Sequence, residues 1–170
     1  MTDLGGSAIY VKPEDIGGIG KREPIKDIAR VLSRYVNGIM ARTFEHKTIT
    51  ELAEYATVPV INALTNRLHP CQAMADVLTI QEHCEDIKGV KIAFIGDGNN
   101  VARSLAFACA KLGMKMVVAS PAGYELDAET IEKANQLSAE TVRRTNDPGV
   151  AVLDADIIYT DTWVSMGQEE

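Results

Sequence analysis

The chain has 170 residues, with 24 acidic and 17 basic side chains and a formal net charge of −7. This acidic balance argues against a nucleic-acid partner, which would require a basic face. A hydrophobic content of 46% argues against disorder, and no apolar run approaches the roughly 18 residues that span a bilayer, so no membrane partner is predicted either.

The first half of the chain predicts helices and strands in alternation. Pro24 suits the first turn of a helix, and apolar residues recur at helical spacing after it. The sequence Thr48-Ile49-Thr50-Glu51 is a capping box, which predicts that a helix begins at Thr48. The predicted elements are a loop over residues 1–20, a helix over 24–35, a strand over 38–42, a helix from 48, a strand over 58–61 and a helix from 70 towards 84.

A second cycle of strands and helices begins after Gly89. Gly113 is typical of a helix end, and Asp127 of a helix N-cap. The predicted elements are a strand over 90–95, a helix over 99–112, a strand over 114–119, a helix from 127 to about 141, a short helix from 148 and a strand over 157–160. Because strands alternate with helices throughout, we expect an α/β fold with parallel sheet and helices on both faces.

Ligands of open α/β sheets bind beyond the carboxyl ends of the strands, so segments that follow strands are the candidate sites. In the segment Gly96-Asp97-Gly98-Asn99-Asn100, Val101 stands where a dinucleotide fingerprint has its third glycine. This departure argues against a nicotinamide cofactor. The amides of Asn99 and Asn100 suit an amino-acid zwitterion at a helix N-terminus; alternatively, they only cap that helix.

The segment His69-Pro70-Cys71-Gln72 places an imidazole and an amide at the first turn of a predicted helix. Helix N-termini attract anions, and a histidine there can donate a hydrogen bond to a developing oxyanion. The alternative interpretation is a histidine N-cap followed by a surface glutamine. The segment is therefore a candidate anion site with a structural alternative.

Metal and disulfide chemistry are disfavoured. A zinc site formed by His69, Cys71, His83 and Cys84 would take its ligands from one helix at unsuitable spacings, so no metal is predicted. Cys71, Cys84 and Cys109 are an odd and sparse set of three cysteines. They predict free thiols in a reducing compartment, and hence a cytoplasmic protein.

Two further polar residues end predicted strands. Arg42 ends an apolar strand, where it is expected to meet a phosphate or carbonyl group or, alternatively, the carboxylate of Glu45. Asp161 opens the segment Asp161-Thr162-Trp163-Val164-Ser165-Met166-Gly167-Gln168. Its carboxylate suits a ligand ammonium group or, alternatively, the cap of a following helix.

Taken together, these segments resemble the ornithine carbamoyltransferases of the aspartate/ornithine carbamoyltransferase family. The Ser-Met-Gly segment favours ornithine over aspartate or putrescine as the acceptor. The resemblance is carried, in family order, by residues 27–34 (Asp-Ile-Ala-Arg-Val-Leu-Ser-Arg), 40–42 (Met-Ala-Arg), 69–72 (His-Pro-Cys-Gln), 96–100 (Gly-Asp-Gly-Asn-Asn) and 160–169 (Thr-Asp-Thr-Trp-Val-Ser-Met-Gly-Gln-Glu).

The resemblance implies two incomplete doubly wound parallel-sheet lobes. Residues 1–85 would be the C-terminal part of the carbamoyl-phosphate-binding domain, and residues 86–170 the N-terminal part of the ornithine-binding domain. Arg42 and His69 would be catalytic and polarise the carbonyl oxygen of carbamoyl phosphate, and Gln72 would hold its amide. The other residues implied to bind are Pro70 and Cys71 for carbamoyl phosphate, and Asn100, Asp161, Ser165 and Met166 for ornithine.

The implied reaction is attack of ornithine's neutral δ-amine on the carbamoyl carbon, which gives citrulline and phosphate in arginine metabolism. The resemblance implies no cofactor and a homotrimer or higher homo-oligomer. The family's Ser-Thr-Arg-Thr and His-Cys-Leu-Pro segments are not found in the chain, so we expect an internal fragment that is inactive alone. The alternatives are a carbamoyltransferase with another amine acceptor and a non-catalytic amino-acid-binding module.

Under each of these interpretations, Arg42 and His69 are expected to face Asn100 and Asp161 across one cleft.

Overall fold

The computed structural model describes residues 1–162, with strands and helices in alternation from residue 39 onwards. The strands are β1 Ile39–Arg42, β2 Val60–Leu64, β3 Lys91–Ile95, β4 Lys115–Ala119, β5 Val142–Thr145 and β6 Ile157–Thr160. The α-helices are α1 Ile25–Leu32, α2 His46–Tyr55, α3 Pro70–His83, α4 Asn100–Leu112, α5 Ala128–Leu137 and α6 Pro148–Val152. Two 3₁₀ turns, Thr2–Leu4 and Pro13–Ile16, interrupt the predicted N-terminal loop.

The larger sheet has the strand order β5-β4-β3-β6, and all of its pairings are parallel. Successive residues of a strand point to opposite faces, and β3 shows this clearly. Ile92 and Phe94 pack towards α3, α4 and α5, whereas Ala93 packs with Ala151 of α6. Helices therefore cover both faces of the sheet, and the predicted α/β fold class is confirmed.

The described residues divide into two compact units, one of residues 1–41 and 47–61 and the other of residues 42–46 and those from 62 onwards. The first unit has its own small core, in which Ile28 and Ala29 of α1 pack against Leu52 of α2. A hydroxyl strengthens this core, because Ser33 Oγ donates to Ala29 O at 2.7 Å and accepts from Thr57 N at 3.0 Å. The larger sheet and α3 to α6 belong to the second unit.

Several predicted boundaries were wrong, and at helix α2 a long-range contact overrides the local signal. Helix α2 begins at His46 rather than Thr48, since the side chain of Asn66 accepts a hydrogen bond from His46 N at 3.2 Å and so caps the helix from outside. Helix α1 ends at Leu32, and Tyr35 is exposed beyond it. Strand β2 is shifted towards Leu64 relative to its predicted span.

The largest local error is at strand β5. The helix predicted to run to about residue 141 ends at Leu137, and β5 follows at Val142–Thr145. Only Val142 of this strand is buried, and two exposed arginines follow it. A strand with one buried side chain shows no alternating pattern, so only its parallel pairing with β4 reveals it.

Asp127 joins two helices of the second unit. Its carboxylate caps α5 by accepting from Thr130 N and Oγ1, each at 2.8 Å, and it accepts from Arg103 Nε of α4 at 2.7 Å. Burial alone raises the pKa of Asp127, but the hydrogen bonds from Thr130 and Arg103 outweigh it and hold the pKa below its ordinary value.

We expect Asp127→Ala to lower the free energy of unfolding by about 1–2 kcal/mol at neutral pH, because the helix cap is lost. A lowered pKa in the folded state means that this stabilisation is present above the unfolded-state pKa of about 3.9 and is lost as the pH falls through the folded-state value. Urea unfolding across this acidic range tests both points. Asp127→Asn should keep much of the cap but lose this pH dependence, whereas a control Glu85→Gln should leave it in place.

Candidate active site

A polar cavity of about 360 Å³ opens beyond the carboxyl ends of the strands. It lies within the second compact unit, where Arg42 and Leu64 end β1 and β2 and Asp161 follows β6. This is the place where open parallel sheets bind ligands. The lining residues are Arg42, Leu64, His69, Gln72, Asn99, Asn100, Val101, Tyr159, Asp161 and Thr162.

His69 is held at the N-terminus of α3 from both sides. Its backbone N–H donates to Ser104 Oγ at 2.7 Å, and Ser104 Oγ in turn donates to Asn100 O at 2.8 Å. Its ring Nδ1 accepts from Gln72 N at 3.4 Å as the N-cap of α3. The predicted capping role is therefore seen, and the same ring also lines the cavity.

The surroundings of the His69 ring set its protonation state and its tautomer. Burial, followed by the nearby guanidinium of Arg42, lowers the pKa of His69 below its ordinary value, so the ring is neutral at pH 7. A neutral ring whose Nδ1 accepts a hydrogen bond carries its proton on Nε2. His69 therefore offers a ligand in the cavity an N–H donor from an uncharged ring.

Arg42 supplies positive charge at the mouth of the cavity. Its side chain is exposed, and within residues 1–162 no carboxylate forms an ion pair with it. The alternative of a salt bridge to Glu45 is not seen. Arg42 is thus available to an anionic ligand close to His69.

Two neighbouring asparagines have different roles at the start of α4. Asn99 Oδ1 caps the helix by accepting from Val101 N and Ala102 N, while its Nδ2 donates to Asp161 Oδ2 at 2.9 Å. Asn100 Nδ2 donates to Thr65 O at 2.7 Å. The capping alternative therefore holds for Asn99, and this asparagine also orients Asp161 towards the cavity.

A half-buried chain of hydrogen bonds extends from Gln72 to Tyr159. Gln72 Nε2 donates to Asp76 Oδ1 at 2.8 Å, and Tyr159 OH donates to the same oxygen at 3.4 Å. Asp76 and Tyr159 were not predicted from the sequence. The spacing of Gln72 and Asp76, four residues apart on one helix, is a signal for their contact, but nothing local connects either residue to Tyr159 on β6.

Not every predicted site residue lines the cavity. Pro70 occupies the first turn of α3, and the exposed Cys71 donates from Sγ to Asn62 O at 3.4 Å; neither is among the lining residues in the described part of the chain. Ser165 and Met166 lie outside the described residues. The structure thus brings together Arg42, His69, Gln72, Asn100 and Asp161.

Three general features of residues 1–162 complete the description. The cysteines are free, as predicted, and burial raises the pKa of the Cys109 thiol to about 12. No group of three or more histidine, cysteine or acidic side chains in this range is arranged to hold a metal ion. None of the helices described combines the length and apolarity of a membrane crossing.

A parallel α/β sheet with a polar cavity at the carboxyl ends of its strands defines an α/β protein with a small-molecule site. The chain belongs to the aspartate/ornithine carbamoyltransferase family. The carbamoyl-P binding domain of that family matches residues 1–82, and its Asp/Orn binding domain matches residues 88–170. The resemblance inferred from the sequence motifs is confirmed.

Individual relatives agree with this assignment. An ornithine carbamoyltransferase from Halalkalibacterium halodurans is 55% identical over 99% of the chain and 54% of its own length. A Pyrococcus furiosus protein named as an anabolic ornithine carbamoyltransferase is 54% identical over 99% of the chain and 54% of its own length. The solved ornithine carbamoyltransferase from Pyrococcus furiosus superposes with a TM-score of 0.93 at 54% identity, over 99% of this chain and 55% of that one. The chain spans about half the length of the curated relatives it matches.

Proposed function

We propose that the chain carries the central part of an ornithine carbamoyltransferase site, which transfers the carbamoyl group of carbamoyl phosphate to L-ornithine. One observation carries the proposal: Arg42, His69 and Gln72 share a cavity with Asn100 and Asp161. The first three lie in the segment that matches the carbamoyl-P binding domain, and the other two in the segment that matches the Asp/Orn binding domain. The corresponding domain division is residues 1–85 and 86–170.

The chemistry of the first group suits carbamoyl phosphate. The N-terminus of α3 and the guanidinium of Arg42 provide positive potential for a phosphate. The Nε2–H of the neutral His69 is positioned to donate to a carbonyl oxygen, whose negative charge grows when a nucleophile adds to the carbonyl carbon. Gln72 would contact the carbamoyl amide, and Pro70 and Cys71 hold the backbone of this first helical turn in place.

The second group suits the amino-acid end of ornithine. Asp161 offers a carboxylate to an ammonium group, and Asn99 holds that carboxylate in position. Asn100, Ser165 and Met166 would complete this part of the site. The δ-amine would then attack the carbamoyl carbon, with the carbonyl oxygen held by Arg42 and His69 and phosphate leaving. Catalysis of this kind depends on positioning two substrates and stabilising an oxyanion, and it needs no covalent intermediate.

For the whole protein, we propose a cytoplasmic homotrimer or higher homo-oligomer in arginine biosynthesis. The pathway proposal is supported by the similarity to a relative named as anabolic. Because the matched relatives are about twice as long, we expect the 170-residue chain to bind its ligands without forming citrulline.

We expect Arg42→Ala and His69→Ala each to weaken binding of phosphonoacetamide, a stable analogue of carbamoyl phosphate, by about 10- to 100-fold. Each variant removes one charge-assisted or buried hydrogen bond to the ligand. Isothermal titration calorimetry on the 170-residue chain measures the effect.

His83→Ala is the matched control, because His83 lies in the last turn of the same helix and is exposed. Its affinity should equal that of the unmodified chain. Equal affinities for all four proteins would contradict the proposed site. Binding of ornithine without any binding of the phosphonate would favour the amino-acid-binding module, and preference for another amine in competition would favour a different acceptor.

A further inference from the structure

Asp76 is a half-buried carboxylate for which the proposed reaction has no direct use. It lies one turn after Gln72 on α3 and is not among the residues that line the cavity. Its Oδ1 accepts from Gln72 Nε2 at 2.8 Å and from Tyr159 OH at 3.4 Å. Its Oδ2 is buried and has no hydrogen-bond partner within the described part of the chain. A charge held in this way requires an explanation.

The contact with Asp76 decides which end of the Gln72 amide is available to a ligand. A glutamine amide has a donating NH₂ end and an accepting carbonyl end, and an ionised carboxylate can only accept. Asp76 therefore selects the orientation in which Nε2 points towards it. The carbonyl oxygen Oε1 is the end left for the cavity, so Gln72 presents an acceptor to whatever binds there.

We propose that Asp76 is a positioning residue that fixes the amide orientation of Gln72 and so makes the cavity select ligands with an N–H donor over isosteric ligands without one. The inference rests on the proposed function and deepens it, since the donor would be the carbamoyl NH₂ group. Tyr159 supports Asp76 from β6, and its ring is itself held by stacking on Phe94 with ring centroids 5.1 Å apart. The contact between Asp76 and Gln72 is thus connected, through Tyr159, to Phe94 in the core.

The charge of Asp76 has a cost that is consistent with a functional role. Burial raises the pKa of Asp76, and the hydrogen bonds from Gln72 and Tyr159 only partly oppose this effect. A raised pKa in the folded state means that the carboxylate destabilises the fold above that pKa, and that the cost disappears as the pH falls below the unfolded-state value. Removing the charge should therefore not unfold the chain at neutral pH, which allows binding to be tested separately from folding.

The test uses two stable phosphonates that differ in one group. Phosphonoacetamide carries NH₂ where acetonylphosphonate carries CH₃, so only the first can donate to Gln72. In calorimetry, we expect the unmodified chain to prefer phosphonoacetamide by about tenfold, a typical effect of one hydrogen bond in a buried site. Asp76→Leu should abolish this preference. Its affinity for acetonylphosphonate should stay within about twofold of that of the unmodified chain. Asp76→Asn keeps an accepting oxygen and should retain part of the preference.

A matched control is available on α5. Gln136 Nε2 donates to Glu132 Oε1 at 3.3 Å, an exposed amide–carboxylate pair that is also four residues apart, although here the acid precedes the glutamine. Glu132→Gln should change neither affinity. If Asp76→Leu weakened both phosphonates equally, Asp76 would be a structural residue and the proposal would be overturned.

A second measurement separates this inference from the proposed function. In the ligand-free chain, the side-chain NH₂ signal of Gln72, assigned by its loss in Gln72→Ala, should show one proton shifted downfield and protected from exchange. Asp76→Leu should remove that shift. An unchanged signal would overturn the positioning role whatever binds. If instead neither phosphonate bound the unmodified chain while the shift depended on Asp76, the positioning would stand and the proposed function would fail.

Discussion

Replacement of Phe94 by alanine is expected to lower the free energy of unfolding by about 3–5 kcal/mol, a large part of the stability of a small domain. Phe94 lies in the interior strand β3 and is 0% exposed. Truncation removes a large apolar side chain from water-free packing and leaves a cavity that the closely packed sheet and helices cannot fill. Urea unfolding monitored by circular dichroism measures the loss.

Phe94→Ala is also expected to change ligand selectivity at the candidate active site. The Phe94 ring stacks on Tyr159 at 5.1 Å with an interplanar angle of 14°, and the Tyr159 hydroxyl donates to Asp76. Phe94→Ala should therefore reduce the preference for phosphonoacetamide even where the chain remains folded. Phe44 is 51% exposed, and Phe44→Ala is the control for a phenylalanine whose removal leaves no cavity. A loss below about 1 kcal/mol for Phe94→Ala would contradict its place in the core.

Gly98→Ala is expected to destabilise the chain by about 3 kcal/mol and to weaken ligand binding as well. Gly98 lies in the turn between β3 and α4, where its N–H donates to Tyr124 O at 2.8 Å. An added Cβ would stand 2.6 Å from the carbonyl carbon of Glu125 and closer still to the backbone of Leu126. These neighbours are backbone atoms, so the whole turn must move rather than one side chain.

The displaced turn would carry Asn99 with it, since the two residues are adjacent. Asn99 caps α4 and holds Asp161, so both the helix start and the ornithine side of the cavity should be disturbed. Gly123→Ala is the matched control, because its φ of +90° imposes backbone strain but nothing lies within 4 Å of the added atom. It should cost about 1 kcal/mol and leave the affinity unchanged. Equal effects of the two substitutions would show that the close backbone approach at Gly98 is unimportant.

The sequence determined the fold class and much of the candidate site. Alternating apolar segments and local caps are short-range signals, so the cap at Asp127 and the helix end at Gly113 could be read from neighbouring residues. Polar residues after strands pointed to the carboxyl ends of the strands, where Arg42, His69 and Asp161 line one cavity. The motif order identified the family.

Only the tertiary structure decided which distant groups meet and in what chemical state. The strand order β5-β4-β3-β6 and the existence of β5 depend on pairing between segments far apart in the chain. The neutral ring of His69 depends on burial and on Arg42, and the orientation of Gln72 depends on a carboxylate that Tyr159 also contacts. A linear pattern records the type and spacing of side chains, whereas hydrogen-bond direction and protonation are set by neighbours that folding brings together.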